Sequence, residues 1–477
     1  MVVLLAALAG LLLSGAFLPL GWWFLAQLSF VLLFLALESR GLAWRLASMF
    51  SYSFVCFAVV LHWSSTYVGV LPWFLLTCLE SIFFLPLAFI TPIRSWRIFL
   101  FPSSWILIEE LRSHFPFGGF GWGRVAFSQS NSPLVSIASI GGGPLLSFIT
   151  ISMALVIYLF IRHKSRQGIY ISVLVAIVGA LPLMQSRTIS AGTVEVAAVQ
   201  AGVKHLGLNF NERAAQVFYD HLALSRQYLI STKVKPDVII WPENAIDIDP
   251  AIHVEIGREL SELANAFQVP IIAGAVLGES ETLRNASILW RPKVGLDGEY
   301  IKNHLTPFGE YMPLRSLAEF ISPFAQKVSD FHPGSDVHVH SINSARISPI
   351  ICFDLLDDGL VTRLTKQGNV IALQTNSATF GRSAQSAQEF AIARIRAVEH
   401  GRSIISISTS GVSGFIDRSG QFSALTTINQ AVVISKRVQL FEGTTVSDRY
   451  RPGITWSVIL LPYLAALALL RRRGGKI

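Results

Sequence analysis

Three short segments of this 477-residue chain place a reactive side chain where an apolar run ends. In the first, Val238-Ile239-Ile240 leads into Trp241-Pro242-Glu243. A carboxylate at the end of a buried strand, beside an indole, has its pKa raised toward that of a general base. The same position also suits a turn acid or a helix cap. The second segment is Lys302-Asn303-His304-Leu305-Thr306-Pro307-Phe308-Gly309-Glu310, followed by Pro313. Pro307, Gly309 and Pro313 fix the backbone. Lys302 offers a positive charge to a developing oxyanion, and Glu310 can orient Lys302 or a substrate. A solvated lysine on a surface turn would have the same composition, and His304 reads as a structural hydrogen-bonder. In the third segment, Ile347-Ser348-Pro349-Ile350-Ile351 runs into Cys352-Phe353-Asp354. A buried cysteine is usually a small hydrophobe. This one, however, is the only thiol of the polar part of the chain, since Cys56 and Cys78 lie in apolar runs. A nucleophilic thiol needs a base or a positive charge nearby, and Glu243 and Lys302 can supply both. The three cysteines have no zinc or disulfide spacing.

The elements that would hold these side chains alternate. Short β-rich runs fall at 194–200, 237–241, 269–276, 347–353, 370–375, 402–408 and 431–436. Helical patterns lie between some of them. One is 211–232, with Ala214, Val217, Phe218 and Leu222 on one face; another is 385–399, with Ala391, Ile395 and Val398 at helical spacing and Gly401 as a C-cap. Strand–helix alternation predicts an α/β domain over 190–450.

The rest of the chain is of another kind. Overall 52% of residues are hydrophobic and 14% charged, against about 25% charged in soluble domains. Mean hydropathy is +0.52 and the pI about 9.5. Apolar segments of roughly spanning length, about 17–25 residues, lie at 2–19, 22–38, 46–64, 70–92, 97–113, 135–161, 168–185 and 453–470. This predicts about eight transmembrane helices: seven in a domain 1–189, and one in 451–477 with a basic tail. The net charge of +8 sits beside these segments. Arg40 and Arg45, Arg94 and Arg97, the Arg162–Arg166 cluster and Arg471–Arg473 mark alternate loops. By the positive-inside rule both termini are cytoplasmic and 190–450 is outside the membrane. The nearly neutral polar region carries no nucleic-acid footprint. Trp73, Trp96 and Trp122 read as interfacial anchors, Arg124 as a cation for a lipid phosphate, and Glu109 as facing a cavity or a partner.

Together, the three segments resemble the nitrilase superfamily, whose Glu–Lys–Cys triad comes from strand ends in this chain order. With the flanking spans, the chain resembles the apolipoprotein N-acyltransferase family. Asn376-Ser377-Ala378-Thr379-Phe380-Gly381, Ala393-Arg394-Ile395-Arg396-Ala397-Val398-Glu399, Trp105–Arg112 and Phe117–Gln129 also match. The resemblance implies an αββα sandwich outside the bacterial cytoplasmic membrane, with catalytic Glu243, Lys302 and Cys352. Glu310, Phe353 and Asp354 would support them. It implies acyl transfer from a phospholipid, through a cysteine thioester, to the amine of a diacylated apolipoprotein, with no metal or organic cofactor. The family commonly has Tyr and Glu where Phe353 and Asp354 stand, Trp at Thr379, and an aromatic that Phe210 would match. Two other functions fit the same features: a membrane-tethered amidase, and a non-catalytic lipid-binding or transport protein. The scarcity of polar residues in the spans speaks against the latter.

Overall fold

The computed structural model describes residues 1–38, 41–90, 96–162, 169, 188–204, 206, 215–278, 283–321, 325–326 and 328–474. The apolar segment 168–185, apart from Ile169, lies outside them, as do Arg40, Arg94 and Phe210. The chain divides into two compact units: Met1–His62, Val70–Ser186 and Thr445–Ile477 form one, Trp63–Gly69 and Arg187–Thr444 the other.

The first unit is helical. Its helices are α1 (Val2–Ala16), α2 (Leu25–Ala36), α3 (Leu42–Val60), α5 (Val70–Ile82), α6 (Leu87–Ile90), α7 (Phe101–Arg112) and α8 (Ala138–Ile161); α4 (Ser64–Val68) belongs to the second unit. Among the described residues, four helical stretches are long and apolar enough to cross a membrane: 42–60, 70–90, 133–161 and 446–468. The apolar helices at 2–16 and 25–36 are shorter. The segment 97–113 is a 3-10 turn, Trp96–Leu100, followed by α7. Helices α1 and α3 approach closely at Gly10, where a β-carbon would lie 2.2 Å from the Tyr52 carbonyl oxygen. Ser29 donates to the Ala9 carbonyl at 2.7 Å and lies 2.9 Å from the Tyr52 hydroxyl, so the polar atoms of this interface are satisfied.

Two sequence expectations change here and a third is met. Arg124 is buried and donates from Nε to the Ser113 hydroxyl at 3.1 Å, so it is not a surface cation waiting for lipid. Trp122 is buried and not an interfacial anchor. Glu109 does find protein partners: it accepts from Trp105 Nε1 at 3.0 Å and from the Val125 backbone at 2.8 Å.

The second unit is a sandwich of two six-stranded sheets. Their strands are β1 (Ile189–Gln200), β2 (Val238–Ile240), β3 (Ile271–Leu277), β4 (Arg284–Arg291), β5 (Gly295–Ile301), β6 (His340–Ile342), β7 (Ala345–Ile351), β8 (Val370–Thr375), β9 (Ile404–Ser408), β10 (Gly414–Ile416), β11 (Phe422–Ser423) and β12 (Val432–Glu442). The orders are β12-β1-β2-β3-β4-β5 and β11-β10-β9-β8-β7-β6. The centre of each sheet is parallel: β1, β2 and β3 in one, β7, β8 and β9 in the other.

Period-two alternation assigns the faces. Val194, Val196, Ala198, Val238 and Ile240 share a buried cluster with Ile347, Val370, Ala372 and Ile405 of the other sheet. Ala197, Val199 and Ile239 turn the other way, onto α9 (Gln216–Ser231) and α10 (Val254–Phe267), through Phe218, Leu222, Leu260 and Leu263. The remaining helices are α11 (Arg315–Ile321), α12 (Asp358–Gln367), α13 (Gln385–His400) and α14 (Val446–Gly474), the last in the helical unit. Gly401, at φ 59°, ends α13 in the left-handed conformation that its sequence position predicted.

Candidate active site

Glu243 follows β2 and is buried beside the fully buried Trp241. The chain can turn there because position 274 on the neighbouring strand is glycine. A β-carbon at Gly274 would lie 2.3 Å from the Pro242 carbonyl oxygen and 2.5 Å from the Glu243 α-carbon. The turn is held by hydrogen bonds from Gly274 N to the Pro242 carbonyl, 3.1 Å, and from the Thr409 hydroxyl to the Glu243 carbonyl, 3.0 Å.

Lys302 directly follows β5 and is 1% exposed. Its Nζ lies 2.7 Å from Glu310 Oε2 and 3.2 Å from Glu243 Oε1. Glu310 reaches back because Thr306 closes a tight turn, its carbonyl accepting from Gly309 N at 3.1 Å and from Glu310 N at 2.9 Å. Glu310 Oε2 in turn accepts from Thr306 N at 2.8 Å. Of the two roles its position suggested, the structure places Glu310 against the lysine.

Cys352 starts the 3-10 turn that follows β7, with φ +45°. A non-glycine residue in this region is held there by its surroundings, and such positions concentrate at functional sites. Cys352 as a residue is partly exposed, although its thiol group is desolvated. Asp354, fully buried, ties this turn to the lysine loop: it accepts from Tyr300 Oη at 2.8 Å, His304 N at 2.8 Å and Ile351 N at 3.3 Å. Phe353 is buried, with its ring centroid 5.0 Å from that of His304. Both residues therefore act on the frame of the site. His304 Nδ1 faces Asp357 at 3.7 Å, the structural place expected of it.

Two participants had escaped notice in the sequence. Asn285 of β4 donates from Nδ2 to Glu243 Oε1 at 2.8 Å and to Glu310 Oε1 at 2.6 Å, and so bridges the two carboxylates. Glu389 of α13 is 3% exposed and close enough to Cys352 for its charge to bear on the thiol. Neither lies in a segment with an evident break or motif. Asn285 was hidden inside an unrecognised strand and Glu389 inside a regular helix.

The electrostatics follow from burial and an excess of acids. Burial raises the Glu243 pKa above the ordinary carboxylate value, and Lys302 only partly offsets this. Burial acts on Glu310 in the same sense, but Lys302 and the Thr306 N–H outweigh it and hold its pKa low. Lys302 stays protonated: burial opposes its charge, while Glu243 and Glu310 raise its pKa well above normal. The sequence suggested that Lys302 would lower the pKa of the thiol. It does, but burial, with Glu243 and Glu389 next, outweighs it and pushes the Cys352 pKa well up. One lysine shared between two carboxylates has too little charge left to create a resting thiolate.

The chain matches two family models in tandem. Residues 9–156 fit the apolipoprotein N-acyltransferase N-terminal domain, and residues 195–445 the carbon-nitrogen hydrolase domain. The apolipoprotein N-acyltransferase of Mycolicibacterium smegmatis is 30% identical over 98% of this chain and 84% of its own length. The chain belongs to the apolipoprotein N-acyltransferase family. Another relative of that name, from Azotobacter vinelandii, is 29% identical over 99% of this chain and 96% of its own. An amidase from Nesterenkonia sp. superposes on 57% of this chain and 99% of its own at 13% identity, with a TM-score of 0.41. The activity of an apolipoprotein N-acyltransferase is lipoprotein N-acylation, and its acceptor is a lipoprotein. The apolar helices described above are those of a membrane-associated enzyme of this family.

Proposed function

We propose that this N-acyltransferase works by two half-reactions on Cys352. In the first, Glu243 takes the thiol proton while the sulfur attacks the ester carbonyl of a phospholipid acyl chain. The ester C–O bond breaks, the proton passes from Glu243 to the departing lysophospholipid oxygen, and a thioester remains. In the second, the α-amine of an S-diacylglyceryl cysteine attacks the thioester, Glu243 takes a proton from the attacking nitrogen, the C–S bond breaks, and Glu243 passes that proton to the sulfur. Lys302 and the backbone N–H that follows Cys352 stabilise both oxyanions. An ammonium has three donors. Two of those on Lys302 are engaged by Glu243 and Glu310, which leaves the third for an oxyanion. Glu310 and Asn285 hold the lysine and the base in place. Asp354 and Phe353 hold the loops that carry them.

The observation that carries this reading is the Lys302 contact with both carboxylates beside a partly exposed cysteine in a left-handed turn. The thioester conserves the acyl energy, so no cofactor is required. Both substrates are lipids, which accounts for a catalytic domain built into a chain with apolar helices. The reading includes about eight spans, of which 168–185 is one, a multi-pass protein of the bacterial cytoplasmic membrane, and a catalytic domain 190–450 on its outer face. The arginines beside alternate apolar segments support that placement. Protease added to spheroplasts is expected to cut this domain, and complete protection would overturn the placement.

The mechanism is tested by loading purified enzyme with phospholipid labelled in its acyl chain and then adding a diacylated lipopeptide. The label should appear as a thioester on Cys352 and move to the lipopeptide amine. Cys352→Ala should abolish both steps, whereas Cys56→Ala and Cys78→Ala should change neither. Normal turnover by Cys352→Ala would sink the proposal.

A further inference from the structure

The second half-reaction has a proton left over. At neutral pH an α-amine, with an ordinary pKa near 7.7–8.0, arrives mostly as an ammonium. Two of its three protons must leave before a neutral amide exists. In the mechanism above Glu243 handles one of them, the proton that restores the Cys352 thiol. The other needs a separate acceptor within reach of the same nitrogen.

Around the thiol, Glu243 and Glu310 are both drawn onto Lys302 and Asn285. Glu389 is placed differently. It rises from α13, on the other sheet's side of the sandwich, and among the described residues it forms no ion pair with a lysine or arginine of its own. Its Oε2 accepts from Gln385 Nε2 at 3.2 Å. Its Oε1 is buried with no other hydrogen-bond partner among the described residues, and the carboxyl interacts with the Cys352 thiol as a hydrogen-bond partner. The charged or titratable groups acting on it are Glu243, Cys352 and Lys302. Acylation of Cys352 removes the thiol proton from this corner, and Glu389 then faces a thioester with a buried acceptor oxygen unused. A buried acceptor left without a donor is costly, and an ammonium supplies the missing donor together with a compensating charge.

We propose that Glu389 receives the acceptor's α-ammonium and takes its first proton. The neutral amine then attacks the thioester carbonyl, forming the C–N bond as the C–S bond breaks. The second proton passes through Glu243 to the sulfur, and Glu389 releases its own proton to water as the product leaves. This rests on the thioester reading of Cys352. Burial, with the Glu243 charge next, raises the Glu389 pKa to about 7, a value suited to exchanging protons at neutral pH. The neutral form also spares Cys352 a like charge during the first step.

Glu389→Gln tests this in the two-stage assay. The variant should form the Cys352 thioester in normal yield. Its transfer to diacylated lipopeptide at pH 7 should fall on the order of 10²-fold, the low end for loss of a general base. The deficit should shrink above about pH 8, where the amine loses its proton unaided. Hydroxylamine, uncharged at neutral pH, should cleave the thioester of the variant as fast as that of the wild type. Glu389→Asp, which keeps a carboxylate, should recover most of the pH 7 transfer. Wild-type transfer by Glu389→Gln at pH 7 would overturn the proposal. So would equal slowing toward hydroxylamine and lipopeptide at every pH, an aspartate variant as impaired as the glutamine one, or loss of the thioester in both, since each would make Glu389 a packing residue. Failure of the wild-type enzyme to form a thioester on Cys352 would instead fall on the proposed mechanism.

Discussion

Each of the two units buries an ion cluster, and the two are balanced differently. In the helical unit, Arg112 donates from Nη1 to Glu80 at 3.0 Å and to the carbonyls of Phe120 and Trp122 at 2.8 Å each. Its guanidinium also lies over the Phe57 ring, 5.2 Å from the centroid. One cation meets one carboxylate, and the same Nη1 also pins a loop. The tight turn at Gly119, where a β-carbon would come within 2.1 Å of the Ser113 backbone, belongs to the same loop. In the α/β unit one lysine serves two carboxylates, with Asp354 and Glu389 close by. That cluster has more acids than cations, and the imbalance is relieved by protons. A balanced buried pair holds shape, whereas an unbalanced one keeps a proton that can be moved.

The sharpest way to break this contrast is to remove the movable proton without removing volume. Glu243→Gln should leave the α/β unit folded, because the amide keeps the shape and relieves the excess of negative charge. Thioester formation should fall on the order of 10²–10⁴-fold. Single-turnover labelling measures it, and a normal rate would remove Glu243 from the base role. Next comes the balanced pair. Glu80→Ala leaves Arg112 buried without its counter-charge, which should cost about 3–5 kcal/mol. That loss should appear as a lower melting temperature in detergent, with the rate per folded molecule unchanged. A catalytic defect without a stability loss would mean that the helical pair also serves chemistry. The smallest effect is expected from Phe353→Tyr. The ring packing against His304 is kept, and in the proposed mechanism the oxyanion contact at this position comes from the backbone, so thioester formation should stay close to wild type. A large loss would show that the pocket was shaped around phenylalanine.

The parts of the molecule that could be read from sequence are those where a single physical signal dominates. The apolar runs of β1, β2, β3, β7, β8 and β9 stand out because both faces of those strands are buried. The positions of Glu243, Lys302 and Cys352 follow because each comes where such a run, or a turn rich in Pro and Gly, breaks off. Strand β4 was missed because Asn285 and Ser287 interrupt its apolar pattern, and both are buried for reasons of hydrogen bonding. Strand β5 was missed because Asp297, Gly298 and Glu299 give it the composition of a loop at the sheet edge. Glu389 looks like an ordinary polar position of a helix. Only the tertiary packing that aims α13 at the thiol sets it apart. The net direction of the Cys352 pKa is hidden for a related reason: sequence lists the charges, while burial and the competition among Glu243, Glu310 and the thiol for Lys302 exist only in three dimensions.

Strand β12 has a consequence for the order in which the enzyme comes into being. It pairs antiparallel with β1 over nearly its whole length, Ile189 opposite Glu442 and Gln200 opposite Val432. The first strand of the α/β unit to be synthesised thus waits for the last. Closing a loop of this size costs entropy before any contact repays it, and non-local pairing of this kind slows folding. During synthesis the β1 side of the first sheet stays open until residue 442 has been made, so a chain cut short before β12 has an unpaired strand edge, a template for aggregation. Such a chain would hold Glu243, Lys302, Cys352 and Glu389 in its sequence and still lack the complete sheet that carries the first two. The proposed catalytic residues are all made before the strand that completes their scaffold, and activity is expected to appear only when translation has passed the end of the domain.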